Sequence, residues 1–402
     1  MDIQFFVGVN GAGKSFNLNK IYSESENSLY VNEEGLPSFS IRKPRVKIDL
    51  ENKMYHFIKD SQRGTGEYEE PSSEHIQEKF LILLYEALEL QKKNEVFKNN
   101  KSKGQEKFSN LLTIFTDYNF NNLEYICLDE PENFLDEDYI KLIGRLILNL
   151  AKVGFKVRVA THSVRILTEC RASIEQIIIL NRAEKYNIDV RAIEELMRNV
   201  SDEVLKFENK HMQVDSRMKT KLKSYEYPRL FKSLISQTIE NEDFYKCLFN
   251  KTIILVEGES EVVALKAIKN RFESSTEFFT PHGKVYMPFF AKLFSVLGKE
   301  VVVIIDVDTE KQTMPWVLTQ YFENERHIND LKLISHQPDF EEYYNIPWRE
   351  IAEDIGLKNK ILTGELKPLV AMIFFDEIQN QQVLYDNLQR VTEKDTSIFQ
   401  FV

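Results

Sequence analysis

Two acidic turns and one glycine-rich loop carry the residues whose types and spacing could do chemistry. In IILVEGESE, residues 253–261, an apolar run ends in Glu257. Glu261 follows one helical turn later near the same face, while Glu259 between them points elsewhere. A second apolar run, VVVIIDVDT, ends in Asp306 and Asp308, and the period of two in a strand aims both to one side. If the two runs are neighbouring parallel strands, Glu257, Asp306 and Asp308 meet at their carboxyl ends, where open α/β sheets place ligands. Clustered carboxylates repel and raise one another's pKa unless a cation is present. Oxygen ligands without histidine or thiolate suit Mg²⁺ or Mn²⁺. Two such ions ~3.5–4 Å apart can clamp the attacking and leaving oxygens of a phosphodiester.

The loop GVNGAGKS, Gly8–Ser15, satisfies GxxxxGK[ST] between a strand and a helix. Asn10, Gly11 and Gly13 lie where backbone N–H groups close around phosphates; Lys14 reaches the β- and γ-phosphates, and Ser15 is a ligand for Mg²⁺. Further on, YICLDEP ends an apolar strand in Asp129 and Glu130. Asp129 can hold Mg²⁺ while Glu130 orients and activates water for attack on the γ-phosphate of ATP.

These turns need strands to end them and helices to cover the strands. From residue 1 to about 185 the pattern alternates strand and helix (IQFFV, then EYICLDEP, DEDYIKLIGRLILNLAKVG and KVRVATHS), which predicts an α/β fold with a mostly parallel sheet. Residues 186–249 are charged and helix-prone and read as a helical linker or dimerisation segment. From 250 to 402 strands return in KTIILVEGE, the short apolar VYMPFF, EVVVIIDVDT and LKLIS, followed by helices. At 402 residues the chain is long enough for two or three domains. Its net charge of −11 excludes a uniformly basic surface, so any nucleic acid must meet local patches. Cys127, Cys170 and Cys247 stand too far apart for a zinc ribbon or a disulfide framework. No apolar run approaches the ~20 residues that cross a bilayer, and the first strand starts where a signal would lie, so a cytoplasmic, membrane-free protein is expected.

The motifs GVNGAGKS, LDEPENFLD and ATHS resemble those of ABC-type ATPases. The resemblance implies that Glu130 is the catalytic base and that His162 contacts the γ-phosphate. It also places Ser102 and Gly104, in KSKGQEKF, in the signature loop that completes the nucleotide site of a second subunit, hence a homo-oligomer of at least two copies. A loop that begins at residue 8 leaves no room for the upstream elements that stack on adenine, and the interval to Asp129 is too short for long coiled-coil arms. Gln77 is the candidate for the family's glutamine loop.

The Glu257…Asp306-x-Asp308 pattern resembles the Toprim fold of topoisomerases, primases and several nucleases. An ABC-type ATPase followed by a C-terminal Toprim domain is similar to the OLD (overcoming lysogenization defect) nucleases, which include Gabija-type and retron-associated antiphage effectors. That resemblance implies a site acid at Glu341 or Glu342 in HQPDFEEYY, and a lysine at Lys367 in GELKPLVAM that sets positive charge against the transition-state phosphate. It implies a DNA endonuclease, with RNA as an alternative substrate and a non-cutting regulatory ATPase as a rival. A partner protein or noncoding nucleic acid would complete the system. Two basic runs are candidate polynucleotide contacts: Lys92, Lys93, Lys98, Lys101 and Lys103, and Arg217, Lys219, Lys221, Lys223, Arg229 and Lys232 with Tyr225 and Tyr227 among them.

Overall fold

In the computed structural model the apolar run Ile3–Val7 is a strand, β1, with Phe5 and Val7 fully buried. The structure describes residues 1–40, 102–118, 123–181, 184–187, 189–211, 235–281, 283–310, 313–329, 331–356 and 366–392. The chain divides into two units, Met1–Lys185 and Tyr186–Val402.

In the first unit β1 leads into α1 (Lys14–Glu24), then β2 (Ser28–Val31), β3 (Pro37–Phe39), α2 (Lys103–Asp117), β4 (Tyr125–Asp129), α3 (Glu137–Lys152), β5 (Lys156–Ala160), α4 (Val164–Glu169), β6 (Ile177–Asn181) and β7 (Glu184–Tyr186). The strand order is β3-β2-β4-β5-β1-β6-β7. From β2 to β6 each neighbouring pair runs parallel, and β3 turns back antiparallel on β2. Because β4, β5 and β1 are consecutive, the segments that leave their carboxyl ends, at Asp129, Thr161 and Gly8, share one edge. α3 shows how such a sheet is covered. Its Leu142, Ile143, Leu146, Ile147 and Leu150 recur at helical spacing and are buried, and Asp136 caps it by accepting from Tyr139 N at 3.1 Å.

The second unit carries a four-stranded parallel sheet, order β11-β10-β8-β9, from β8 (Thr252–Val256), β9 (Thr276–Phe279), β10 (Glu300–Asp306) and β11 (Lys332–His336). Its helices are α5 (Val190–His211), α6 (Glu242–Leu248), α7 (Glu259–Ala267), α8 (Met287–Val296), α9 (Met314–Asn329), α10 (Phe340–Tyr343), α11 (Trp348–Asp354), α12 (Leu366–Phe374) and α13 (Ile378–Thr392). Alternate residues of the strands go to opposite faces. Ile254, Val256, Val302, Ile304 and Ile334 join a core with Val262 and Leu265 of α7 and Val370 of α12. Across the sheet, Phe279 packs on Phe290 and Phe294 of α8, and Phe294 stacks on Phe244 of α6. Within the 186–249 stretch, α5 packs against α8 and α9, and α6 against β9.

Several elements differ from expectation. The apolar VYMPFF is no strand: Lys284–Tyr286 make a single 3₁₀ turn, and Met287 opens α8 with Pro288 in its first turn, where a missing N–H costs nothing. Met287–Phe290 are buried because the helix start lies in the core, and a short continuous apolar stretch has no period to separate helix from strand. The strand of that region is β9, which the sequence reading passes over, along with β2, β3, β6 and β7. Among the described residues no helix is long and apolar enough to cross a membrane.

Leu255 is fully buried in β8. Leu255→Ala is expected to destabilise the second unit by about 2–5 kcal/mol, read as a lowered urea midpoint for that unit; a loss below about 1 kcal/mol contradicts its place in the core.

Candidate functional site

The loop between β1 and α1 is built on left-handed glycines, with φ of 78° at Gly11 and 92° at Gly13. A Cβ on Gly8 would lie 2.4 Å from the Leu180 carbonyl oxygen, so only glycine fits where the loop brushes β6. Asn10 and Gly11 are exposed on the loop, and Lys14 is buried beneath it. Lys14 Nζ donates to the Gly8 carbonyl at 3.1 Å and stands 3.9 Å from Glu130 Oε1. Ser15 Oγ donates to Asp129 Oδ1 at 3.0 Å, which brings the two predicted Mg²⁺ ligands together. The second oxygen of Asp129 accepts from the Tyr30 hydroxyl at 2.6 Å. Burial first, and then this bond, push the Tyr30 phenol up, so Tyr30 remains a donor.

Glu130 has a left-handed backbone, φ 44°, and its carboxylate is aimed by Asn133, which donates to Oε2 at 2.7 Å. His162 Nδ1 lies 3.4 Å from Glu130 Oε1. Two residues absent from the sequence reading hold this pair in place. Lys107, buried and lowered to about 8 by desolvation that neighbouring Glu132 and Glu130 oppose, donates to the Glu130 carbonyl at 2.8 Å. Glu132 Oε1 accepts from Thr161 Oγ1 at 2.6 Å and from His162 N at 3.0 Å. Ser102 caps α2 in a reciprocal box with Gln105, and a Cβ on Gly104 would lie 2.2 Å from the Phe134 carbonyl oxygen. Both signature-loop candidates therefore have local structural reasons for their identity. Lys103 holds its ammonium 5.8 Å above the Phe134 ring. The other basic candidates and Gln77 lie outside the described residues.

In the second unit β8 and β10 are neighbours, with Val256 paired to Ile304, so Glu257 and Asp306 leave the sheet side by side. The Asp306 N–H donates to Glu257 Oε2 at 3.3 Å. Glu261 is buried on the first turn of α7, and Glu259 is exposed, as their spacing predicts. Among the two candidate acids of α10, Glu341 is buried and Glu342 exposed. Glu341 Oε2 accepts from Lys367 Nζ at 2.8 Å. Burial alone would lower Lys367, but the bond to Glu341 and the charges of Glu341, Asp339 and Asp306 outweigh it and raise its pKa.

Negative charge is crowded here. Burial, then Glu257, Glu341 and Asp339, push Asp306 up to about 8. Burial and the Asp306 charge raise Glu261 well above the carboxylate range, and burial raises Glu257 although Lys284 opposes it. Lys284 is unanticipated. Its buried Nζ donates to Asp308 Oδ2 and to the Asp306 carbonyl, and lies 3.5 Å from Glu257 Oε2. His336, also buried, faces Asp306 across 3.8 Å with neither ring nitrogen hydrogen-bonded, and burial lowers it to about 4. Among the described residues no three His, Cys, Asp or Glu side chains enclose an ion as placed. In kind they suit one: the donors are hard oxygens, and Asp306 Oδ1 is buried without a hydrogen-bond partner.

Residues 248–308 match the family model for the Toprim domain of proteins like the overcoming lysogenization defect protein. The second unit carries an OLD-like Toprim domain. No curated protein matches the chain. A solved metal-chelate-type ABC transporter, in an inward-facing conformation, aligns at 18% identity and a TM-score of 0.27, covering 48% of this chain and 74% of that one.

In the second unit the strand ends were readable, whereas Lys284 and His336 were not. The only signal for Lys284 was its following a glycine, Gly283, whose φ of 134° turns the chain into the site. Asp306 titrates near 3.8 when unfolded and near 8 when folded, so between those values the folded state holds more protons. Without divalent ions, stability therefore falls as pH rises from about 4 to 8 through this group. Urea midpoints at pH 5 and pH 8 in EDTA should drop for wild type by more than for Asp306→Asn; equal drops would show that Asp306 does not titrate there.

Proposed function

We propose that the chain is an ATP-regulated, Mg²⁺-dependent endonuclease that hydrolyses DNA phosphodiesters in antiphage defence, working in the cytoplasm as a homo-oligomer of at least two copies. The observation that carries this reading is the meeting of Glu257, Asp306 and Asp308 at adjacent parallel strand ends inside the segment that matches the OLD-like Toprim family. The ABC-type motifs and the Lys14–Asp129–Glu130–His162 arrangement support ATP hydrolysis in the first unit.

In that unit Lys14 would meet the β- and γ-phosphates, Ser15 and Asp129 would hold Mg²⁺, and Tyr30 would keep the Asp129 carboxylate turned toward Ser15. Glu130, steadied by Asn133, would accept the proton of the attacking water, with His162 beside it. Ser102 and Gly104, at the start of α2, would face the nucleotide of a second copy. In the Toprim domain Glu257, Glu261, Asp306, Asp308 and Glu341 would supply the oxygens for Mg²⁺ or Mn²⁺. When held there, such an ion would supply the charge that polarises a phosphodiester and acidifies a water. Lys367, held by Glu341, brings a positive charge to the phosphate as negative charge develops on it.

Purified protein with Mg²⁺ or Mn²⁺ should nick supercoiled plasmid, and Asp306→Ala should lose at least about 100-fold in rate. A variant that cuts as fast as wild type removes the assigned centre, and cleavage confined to RNA replaces the substrate. Glu130→Gln should lower ATP turnover by about 100-fold or more, measured as phosphate release, with ATP binding retained.

A further inference from the structure

We propose that the ring of Phe16 is the surface on which the nucleoside end of ATP packs in the first unit. The inference rests on the ATP-hydrolysing reading above and names the side chain that meets the base.

Phe16 follows Ser15 on the first turn of α1 and is 73% exposed; among the described residues of the first unit no large apolar side chain is more exposed. The other exposed side chains of α1, those of Ser15, Asn19, Lys20, Ser23 and Glu24, are polar or charged. Single apolar residues on a surface are common, and what separates this one is its place. Aromatic side chains in a helix lean toward its N-terminus and cover the turn before their own Cα. For Phe16 that turn is residues 13–15, the end of the phosphate loop.

The surroundings of the loop leave the nucleoside one direction. Ser15 Oγ meets Asp129 Oδ1 at 3.0 Å and Lys14 Nζ stands 3.9 Å from Glu130, with His162 beside that carboxylate, so the γ-phosphate end belongs at the ends of β4 and β5. The opposite flank is closed, because the Leu180 carbonyl of β6 lies 2.4 Å from where a Cβ on Gly8 would stand. Underneath, Ala12, Lys14 and Leu18 are buried. What stays open is the outer side, where Asn10 and Gly11 are exposed and the chain then turns into Phe16. A triphosphate laid over the loop with its γ end at Asp129 and Glu130 therefore carries its base past the Phe16 ring. Such a ring offers a base a face to stack on and reads none of its edges.

Calorimetric titration of the full chain carrying Glu130→Gln, with Mg²⁺, tests this against ATP and against inorganic triphosphate, which has the phosphates without the base. Adding Phe16→Ala should weaken ATP by about tenfold, as loss of one base–aromatic stack does, and inorganic triphosphate by less than about twofold. Phe16→Tyr should bind ATP as its parent does. Unchanged ATP affinity in Phe16→Ala, or equal weakening of both ligands, overturns the inference and leaves the ATP reading standing. No ATP binding by wild type overturns that reading and the inference with it. Should Phe16→Ala not fold, Phe16→Trp decides: its added emission should be quenched by ATP and not by inorganic triphosphate. No quenching, or quenching by both, overturns the inference, and so does quenching that rises with protein concentration, which gives the ring to a second copy.

Discussion

The pairing of β8 with β10 forces carboxylates together at the ends of two adjacent strands. Val256 and Ile304 are partners in register, so the next residues along each strand, Glu257 on one and Asp306 two places on, cannot avoid one another. Much of the second unit answers that constraint. Lys284 is brought in on a glycine turn, Lys367 is brought in on α12, the Asp306 N–H turns toward Glu257, and Asp306 retains its proton far above its usual range. A fold would not gather so much uncompensated charge for stability's sake, because each buried carboxylate without a partner destabilises it. The strain is understandable when a cation completes the balance.

The two units solve opposite electrostatic problems with the same architecture. Each places its polar residues beyond the carboxyl ends of adjacent parallel strands, where backbone leaves the sheet and side chains can converge without breaking the ladder. In the first unit the ends of β1, β4 and β5 present a glycine loop, a lysine and two acids, a mixture that suits a polyanion with its own metal. In the Toprim domain the ends of β8 and β10 present acids almost alone, which suits a cation that in turn attracts a phosphodiester. The shared geometry explains how one chain can hold two polar centres of contrasting charge.

In the first unit, supporting residues shape the centre as much as its acids do. Tyr30 fixes one oxygen of Asp129 so that the other meets Ser15, and Glu132 fixes the backbone of His162 beside Glu130. Lys107 grips the carbonyl of Glu130 at a left-handed backbone position that would otherwise relax. In the same way Asn133, Gly104 and Ser102 are spent on local geometry: an aimed carboxylate, a close approach to Phe134 and a helix cap.

The sequence by itself determined the residues whose meaning is local. The glycine loop, the apolar strands that end in Asp129, Glu257 and Asp306, and the one-turn spacing of Glu257 and Glu261 all follow from periods of two and 3.6 and from glycine's freedom. Glu259 could be set aside for the same reason. Only the tertiary structure decided between Glu341 and Glu342, because both sit on one short helix and only packing buries the first against the Asp306 side. The structure alone showed Lys284, Tyr30, Lys107 and His336, whose partners lie from 22 to 99 residues away, or in the case of His336 on the neighbouring strand pair β10–β11. It also turned VYMPFF into a helix, since a run apolar at every position carries no period. Local chemistry is written in spacing along the chain; compensation of charge is written in which strands become neighbours, and that is set only when the sheet has formed.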